Sequence, residues 1–267
     1  MKLFDAQATL FDSAQVFHFE KTNDIYAANV SGRILTEKDT DAFACEYFDE
    51  KRDYEKILEE ASAFDKVREA VSMFPGLRVV NQPAWEALIA FILSANNNVN
   101  RIKQLVRKLN EEYGEAVECG GKLLYGFPSP ERLSRADESE LREKTKCGYR
   151  AAYLIKTAKM ISSGFPLDGL RDIPYEEARA ELMKLPGVGG KVSDCVCLFG
   201  LKHAEAFPVD VWVKRLMEDW FHVEGTPEKV RKEAKSILGK NCGIIQQYLF
   251  HAARTGKIRI LKSDDNK

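Results

Sequence analysis

Hydrophobic and polar residues follow two different patterns along the chain. In the first part, short stretches that alternate loosely between hydrophobic and polar residues are separated by turn-forming residues. The predicted strands lie at residues 15–19, 25–30 and 33–36, with turns at 21–24 and 31–32. We therefore expect a small antiparallel sheet near the N-terminus.

From Tyr54 onward, the hydrophobic residues recur at helical spacing, which predicts about nine or ten helices. Helix-capping residues support this interpretation and stand at Pro83, Ser129-Pro130, Asp137 with Glu140, Thr226-Pro227 and Gly239. The expected fold is therefore α+β and mainly helical. We expect an N-terminal sheet region at 1–48, a helical region at 49–261 and a polar tail at 262–267 that frays.

The composition fits a globular protein with one large or two modest cores, since 45% of the 267 residues are hydrophobic and 30% are charged. The net charge is only −1, so a nucleic-acid-binding protein would have to gather its positive charge on one face. The six cysteines form no C-x-x-C pair, which argues against a zinc site or a four-cysteine iron–sulfur loop. We expect reduced thiols and a cytoplasmic protein with no signal peptide and no membrane span.

A glycine-rich segment at residues 185–191 predicts a helix-hairpin-helix at about residues 175–200. Pro186 can end one helix, Gly187 and Gly189 permit a backbone with positive φ, and the apolar run at 192–201 is typical of a second helix. Unpaired N–H groups at the start of that helix can face a DNA phosphate, and the candidate residues are Gly187, Val188, Gly189 and Gly190. The alternative is an ordinary turn between two core helices.

Lys191 and Asp210 are the candidate catalytic residues. Lys191 follows the last glycine at the start of the second helix, where the helix dipole disfavours a protonated amine. A neutral lysine is a nucleophile that forms a Schiff base with a carbonyl-like sugar carbon. Asp210 follows Pro208 before a helical run, so it is placed to cap that helix and to stabilise positive charge on a sugar. The alternatives are a solvated or phosphate-binding lysine and a plain helix cap.

Together with further motifs, these residues resemble the helix-hairpin-helix DNA glycosylases, and within them the 8-oxoguanine DNA glycosylases. The further motifs are Asp194-Cys195-Val196-Cys197-Leu198, Asn96-Asn97-Asn98 with Arg101, Gly148-Tyr149-Arg150-Ala151, and Gly243 with Gln246 and Phe250. The resemblance runs from about residue 15 to about residue 254. It implies a twisted sheet packed on two helical subdomains, with the DNA site in the cleft between them.

The resemblance also implies an activity and a partner. The partner is double-stranded DNA that contains 8-oxoguanine, and the chain acts as a monomer without a redox or nucleotide cofactor. Lys191 attacks C1′ of the flipped nucleotide with the help of Asp210, and the Schiff base that results allows β-elimination and strand nicking. The family sometimes holds a cation on hairpin carbonyls, which here belong to Met183, Leu185 and Val188.

A flipped base leaves a gap in the duplex that must be filled. The resemblance gives this role to Asn96 and Tyr149, and contact with the orphaned opposite base to Arg101 and Arg150. From the residues alone, other interpretations stay open. Successive asparagines are typical of a helix end and loop, Tyr149 fits the start of a helix, and the arginines fit ordinary phosphate contacts.

The resemblance places the flipped purine between Cys195 and Phe250, while Gln246 reads its Watson–Crick edge. The spacing agrees, because Cys195 lies four residues after Lys191 and Phe250 four after Gln246, so each pair shares a helix face. The hydrogen on N7 of 8-oxoguanine needs an acceptor, which the resemblance assigns to the carbonyl of Ala14. Plain core packing is the alternative for Cys195 and Phe250.

Three positions depart from the family pattern. Ala14 stands where glycine is usual, Trp212 where histidine is common, and His18-Phe19 where an Arg-Trp pair is found. None of them touches Lys191 or Asp210, so the enzyme class stands and only the details of lesion recognition are affected. Two further functions stay open beside 8-oxoguanine excision. One is an alkylated-base or oxidised-pyrimidine glycosylase of the same fold. The other is a non-catalytic protein that binds DNA through the hairpin alone.

Overall fold

Helices make up most of the computed structural model, which describes residues 3–260. In chain order they are α1 Ala42–Tyr47, α2 Tyr54–Ala61, α3 Asp65–Met73, α4 Ala84–Ser94, α5 Val99–Tyr113, α6 Pro130–Ser134, α7 Glu138–Thr145, α8 Arg150–Ser162, α9 Tyr175–Leu182, α10 Gly190–Phe199, α11 Val211–Phe221, α12 Pro227–Leu238 and α13 Cys242–Arg254. The strands are β1 Glu20–Thr22, β2 Ile25–Val30, β3 Arg33–Thr36, β4 Ala116–Cys119 and β5 Lys122–Tyr125. The expected α+β, mainly helical fold is confirmed, whereas the predicted tail at 262–267 lies outside the described residues.

From Tyr54 onward, the described residues form 12 α-helices rather than the expected nine or ten, and α1 precedes them. The excess comes from short helices such as α6, which has five residues and is too short to display a helical period. The expected caps are confirmed where they were placed. The side chain of Thr226 accepts from the N–H of Lys229, for example, and Gly239 ends α12 with φ +76°.

The N-terminal sheet is antiparallel with strand order β1-β2-β3, as expected. The predicted strand at residues 15–19 is wrong, because this segment is a buried loop. The side chain of Gln15 makes hydrogen bonds to a neighbouring backbone segment in place of backbone pairing between strands. Its amide donates to the carbonyl of Arg78 at 2.8 Å and accepts from the N–H of Val80 at 2.9 Å. The hydrophobic residues of this segment are therefore buried, but its backbone does not form the β-sheet hydrogen bonds that their alternation suggested.

The hairpin of β4 and β5 inside the helical region was not expected. Its two-residue turn is Gly120-Gly121, and both glycines have positive φ, which matches the turn geometry preferred in tight hairpins. Asn29 of β2 donates its side-chain amide to the carbonyls of Glu115 and Leu124. The two sheets are therefore held together by one buried amide.

Helix α4 runs through the centre of the molecule. Almost every residue in it is buried, and it contacts α5, α8 and α10. Because hydrophobic residues surround this helix on every side, it must lie inside the core. Its last residue, Ser94, lies at the floor of the cleft described below. A central buried helix therefore gives the site a rigid floor.

Glu86 of α4 joins the helical region to the N-terminal sheet. Its carboxylate accepts from the N–H and hydroxyl of Ser31, and its second oxygen lies 3.7 Å from Nε2 of His18. Burial raises the pKa of Glu86 to about 7 and lowers the pKa of His18 to about 4. His18 is therefore a buried neutral side chain, away from the cleft that holds Lys191.

Two hydrophobic cores are present. The smaller one joins residues between 10 and 48 to Val80, and the larger one fills the helical region. The boundary that we drew at residue 48 stays a prediction. Within residues 3–260, no helix is long and apolar enough to cross a membrane.

Candidate active site

Lys191 lies at the floor of a cleft of about 400 Å³, as the second residue of α10. Its Nζ donates to Oγ of Ser94 at 3.2 Å and lies 5.1 Å from the ring centre of Phe91. Ser94 in turn donates to the carbonyl of Phe91, so its hydroxyl is oriented to accept from the lysine. Ser94 and Phe91 therefore hold the amine in place, although the sequence analysis did not select either residue.

Asp210 lines the same cleft and is the N-cap of α11. Its Oδ1 accepts from the N–H of Val213 at 2.8 Å, so the expected cap is present. Its second oxygen accepts no hydrogen bond from any residue in 3–260. The capping role and a role in the cleft are therefore compatible, because each uses a different oxygen.

The four predicted pocket residues meet in one small cavity of about 40 Å³ beside Lys191 and Asp210. They are Ala14, Cys195, Gln246 and Phe250. Burial raises the pKa of the Cys195 thiol to about 12, so this side chain is neutral. Gln246 donates to the carbonyl of Pro208 at 3.4 Å, but its Oε1 is buried without a hydrogen-bond partner. The pocket therefore contains a free acceptor, which is costly to bury and suits a ligand with N–H groups.

Ala14 adopts the left-handed conformation with φ +58°, in which glycine is favoured. The neighbouring carbonyl of Ser13 accepts from the amide of Gln247 at 2.8 Å, which anchors this turn to α13. The carbonyl of Ala14 accepts no hydrogen bond among the residues that the structure describes. The departure from glycine therefore leaves the expected backbone conformation intact.

The hairpin between α9 and α10 agrees with the expectation in most respects. Gly187 has φ +82°, whereas Gly189 has φ −97°, so of the two glycines it is Gly187 that uses the positive φ they permit. The N–H of Val188 donates to the carbonyl of Leu185 and is not free for a phosphate. Within residues 3–260, the N–H groups of Gly187, Gly189, Gly190 and Lys191 have no hydrogen-bond acceptor, and their contact with a DNA phosphate stays a prediction.

The asparagine run forms the helix end and loop that the residues alone suggested, and the gap-filling role of Asn96 stays a prediction. Asn98 caps α5, and the side chain of Asn97 donates to the carbonyl of Leu93, as expected of a helix end and loop. Asn96 differs, because it has φ +53° and its amide donates to the hydroxyl of Tyr149 at 3.4 Å. Tyr149 is 51% exposed. Asn96 and Tyr149 therefore form one projecting surface.

The two arginines beside this surface have different environments. Arg150 is buried, and its guanidinium donates to the carbonyls of Ala95 and Cys147, so it does not fit an ordinary phosphate contact. Arg101 is more exposed and donates to the carbonyl of Lys146 at 3.0 Å. The loops that carry Asn96 and Tyr149 are thus fastened together by Arg150.

Trp212 lies at the mouth of the cleft and is 43% exposed. In the described part of the chain, no group of three His, Cys, Asp or Glu side chains is arranged to hold a metal ion. The carbonyl of Leu185 already accepts the N–H of Val188. The cation on the carbonyls of Met183, Leu185 and Val188 stays a prediction.

Residues 89–240, more than half of the chain, match the HhH-GPD superfamily of base excision DNA repair proteins. The chain belongs to this superfamily. In addition, residues 9–88 match the N-terminal domain of 8-oxoguanine DNA glycosylases. The expected helix-hairpin-helix fold class and the resemblance to 8-oxoguanine glycosylases are thereby confirmed, and the placement of the motif at residues 175–200 stays a prediction.

Relatives of this HhH-GPD protein include a probable N-glycosylase/DNA lyase of Methanothermobacter thermautotrophicus, 31% identical over 70% of this chain and 67% of that protein. The N-glycosylase/DNA lyase of Saccharomyces cerevisiae is 37% identical over 59% of this chain, but the match spans only 45% of the yeast protein. Among solved structures, the 8-oxoguanine glycosylase/lyase of Clostridium acetobutylicum, bound to duplex DNA with cytosine opposite 8-oxoguanine, is 31% identical with a TM-score of 0.88. That similarity covers 96% of this chain and 93% of the other.

Proposed function

We propose that this HhH-GPD protein is a bifunctional DNA glycosylase/AP lyase that excises 8-oxoguanine from duplex DNA in base excision repair. The observation that carries the proposal is the position of Lys191 and Asp210 side by side with the pocket of Cys195, Gln246 and Phe250. A nucleophile, a carboxylate and side chains suited to base recognition therefore converge on one point of the cleft. A non-catalytic DNA-binding protein has no use for that combination.

The amine of Lys191 attacks C1′ of the flipped nucleotide as the bond between C1′ and the base breaks and its electron pair leaves with the base. The free oxygen of Asp210 stabilises the positive charge that develops on the sugar. The sugar ring then opens to a Schiff base with Lys191. Loss of a proton from C2′ expels the 3′ phosphate, which nicks the strand, and water then releases the lysine. No redox or nucleotide cofactor takes part.

Base recognition follows from the two free acceptors of the pocket. The Oε1 of Gln246, which is buried without a partner, accepts N–H groups from the Watson–Crick edge of the purine. The carbonyl of Ala14 accepts the hydrogen on N7 that 8-oxoguanine carries and guanine lacks. Phe250 and Cys195 both line this pocket, and Phe250 stacks on the face of the purine.

The DNA is held on both sides of the flipped nucleotide. The N–H groups of Gly189, Gly190 and Lys191 bind one phosphate at the positive end of α10. Asn96 and Tyr149 fill the gap in the duplex, while Arg101 and Arg150 contact the orphaned base. Gly187 supplies the left-handed turn and a further free N–H for this phosphate, whereas the N–H of Val188 already donates to the carbonyl of Leu185.

We further propose that the protein acts as a monomer. We also propose that it acts in the cytoplasm, at the nucleoid in a bacterial cell, because its proposed substrate is chromosomal DNA.

A cleavage assay tests the main proposal. Duplexes that carry 8-oxoguanine, uracil or an alkylated purine are incubated with the protein, and cleavage of the 8-oxoguanine duplex is expected. Excision of only the other two bases would overturn the assignment.

A further inference from the structure

Tyr153 is an exposed aromatic residue on the proposed DNA face that has no role in the function described so far. It lies on α8, one turn after Tyr149, and is 39% exposed. The two rings meet edge to face, with their centres 5.9 Å apart and their planes at 82°. This geometry is favourable for aromatic pairs, so each ring restricts the orientation of the other.

The Tyr153 side chain also contacts the hairpin, through its Cβ, Cγ and Cδ2 atoms. A Cβ atom at Gly187 would lie 2.8 to 2.9 Å from three carbon atoms of Tyr153, so the hairpin backbone packs directly against this side chain. One turn further along α8, the hydroxyl of Thr157 donates to the carbonyl of Pro186 at 2.9 Å. Two consecutive turns of α8 therefore hold the hairpin.

Residues at positions i, i+4 and i+8 share one face of a helix. Tyr149, Tyr153 and Thr157 form such a stripe, and it leads from the gap-filling surface at Asn96 to the hairpin at Gly187. Tyr153 occupies the middle of the stripe and touches both ends. Among residues 3–260 its hydroxyl has no hydrogen-bond partner, so the contacts that it makes are those of the ring.

We propose that Tyr153 is a positioning residue whose ring fixes the distance between the gap-filling Tyr149 and the phosphate-binding hairpin. This inference rests on the proposed roles of Tyr149 and the hairpin. Because Tyr149 and the hairpin both contact the Tyr153 side chain, the distance between them stays fixed. Tyr149 therefore enters the duplex at a set distance from the phosphate that the hairpin binds. Without the Tyr153 ring, Tyr149 and the hairpin each still bind DNA, but the flipped nucleotide no longer reaches Lys191 in the productive position.

The experiment compares Tyr153→Ala with Tyr153→Phe, which keeps the ring and removes the hydroxyl. Single-turnover excision of 8-oxoguanine gives the rate, and 2-aminopurine placed beside the lesion reports unstacking through its fluorescence. Tyr153→Ala is expected to slow excision at least tenfold and to reduce the fluorescence rise, while the affinity for the duplex falls less than threefold. Tyr153→Phe is expected to stay within twofold of the parent protein. Lys159→Ala, an exposed change elsewhere on α8, serves as the matched control.

A double variant separates positioning from a general structural effect. If Tyr153 acts through Tyr149, then Tyr149→Ala with Tyr153→Ala is no slower than Tyr149→Ala alone. Additive losses, a Tyr153→Ala rate equal to that of the parent, or a Tyr153→Phe rate as low as that of Tyr153→Ala would each overturn the inference. If the parent protein itself fails to excise 8-oxoguanine, the proposed function fails instead, so the two failures are distinguishable.

Discussion

The Nζ atom of Lys191 lies 3.2 Å from Oγ of Ser94, although the two residues are 97 positions apart in the chain. Ser94 ends the buried helix α4, and Lys191 begins the second helix of the hairpin. The amine is therefore positioned by the centre of the fold rather than by the hairpin alone. A side chain held in this way reaches a flipped sugar with little further loss of conformational freedom.

The first prediction concerns the nucleophile. Lys191→Gln is expected to abolish both excision and covalent trapping by borohydride, because an amide cannot form a Schiff base. Duplex binding should be largely retained, since the side chain keeps its approximate length. Trapping is read as a protein–DNA band on a denaturing gel, and Lys214→Gln on α11 is the matched control. Undiminished trapping in Lys191→Gln would show that another amine performs the reaction.

The second prediction concerns the pocket. Gln246→Ala and Phe250→Ala are each expected to cost about 1–3 kcal/mol of transition-state stabilisation for 8-oxoguanine, because one removes an edge contact and the other a stacking surface. Single-turnover rates on lesion and abasic duplexes separate base recognition from the lyase step. An abasic site has no base to read, so an equal loss on both substrates would contradict these roles.

The third prediction concerns the opposite base. Cytosine offers O2 and N3 as acceptors for guanidinium groups, whereas adenine presents an amino donor and a larger ring. We expect excision opposite cytosine to be favoured by about 1–3 kcal/mol, because an unpaired arginine is costly. Single-turnover rates with each of the four bases opposite the lesion measure this preference.

Arg101→Ala should reduce the preference for cytosine, and Arg107→Ala on the same helix is the control. The buried Arg150 is less suitable for this test, because its loss would also release the loops at Ala95 and Cys147. Rates within about twofold for all four bases in the parent protein would limit these residues to gap filling and phosphate contact.

The fourth prediction concerns Ala14. The left-handed conformation costs a residue with a Cβ about 1–2 kcal/mol, and glycine avoids this cost but loses about 0.5–1 kcal/mol more through chain entropy. Ala14→Gly should therefore raise the free energy of unfolding by about 0.5–1 kcal/mol without altering discrimination between 8-oxoguanine and guanine. Urea denaturation measures the first quantity. Ala152→Gly, within α8, should destabilise the protein by about 1 kcal/mol, and a loss of stability in both variants would contradict the prediction.

The fifth prediction concerns pH. The pKa of Glu86 is raised by burial from 4.5 to about 7, so its contribution to stability is complete below about pH 4.5 and is lost as the pH rises through 7. Glu86→Gln removes this loss and should be more stabilising at pH 8 than at pH 5 by roughly 2–3 kcal/mol. His18 is present in both proteins, so its own titration largely cancels. Equal effects of the substitution at the two pH values would refute the prediction.

The sequence predicts the elements whose signals are local. Thr226, Asp137 and Asp210 cap helices as expected, because a side-chain oxygen satisfies N–H groups only two or three residues away. The segment at 15–19 failed because Gln15 satisfies its neighbours through contacts with Arg78 and Val80, which are distant in the chain. No local pattern reports such bonds.

The candidate site divides in the same way. The spacing from Lys191 to Cys195 and from Gln246 to Phe250 follows from helix geometry, and the structure gathers these residues, although their roles stay predictions. Ser94 and Tyr153 were missed because each has a contact with a residue far away in sequence, Ser94 with Lys191 and Tyr153 with Gly187. The missed hairpin of β4 and β5 did have a signal, the Gly120-Gly121 pair between two short apolar stretches.

Arg150 fastens the loops of Asn96 and Tyr149 to one another before any DNA is bound. On the proposed function, in which Asn96 and Tyr149 fill the gap in the duplex, a surface fastened in this way cannot adapt to a straight duplex, so the deformation falls on the DNA. Base steps that kink easily, including those beside damaged or mispaired bases, lower the energy of that deformation. The protein would therefore select DNA first by how easily the duplex bends. Only the most easily bent sites would go on to place a base in the pocket.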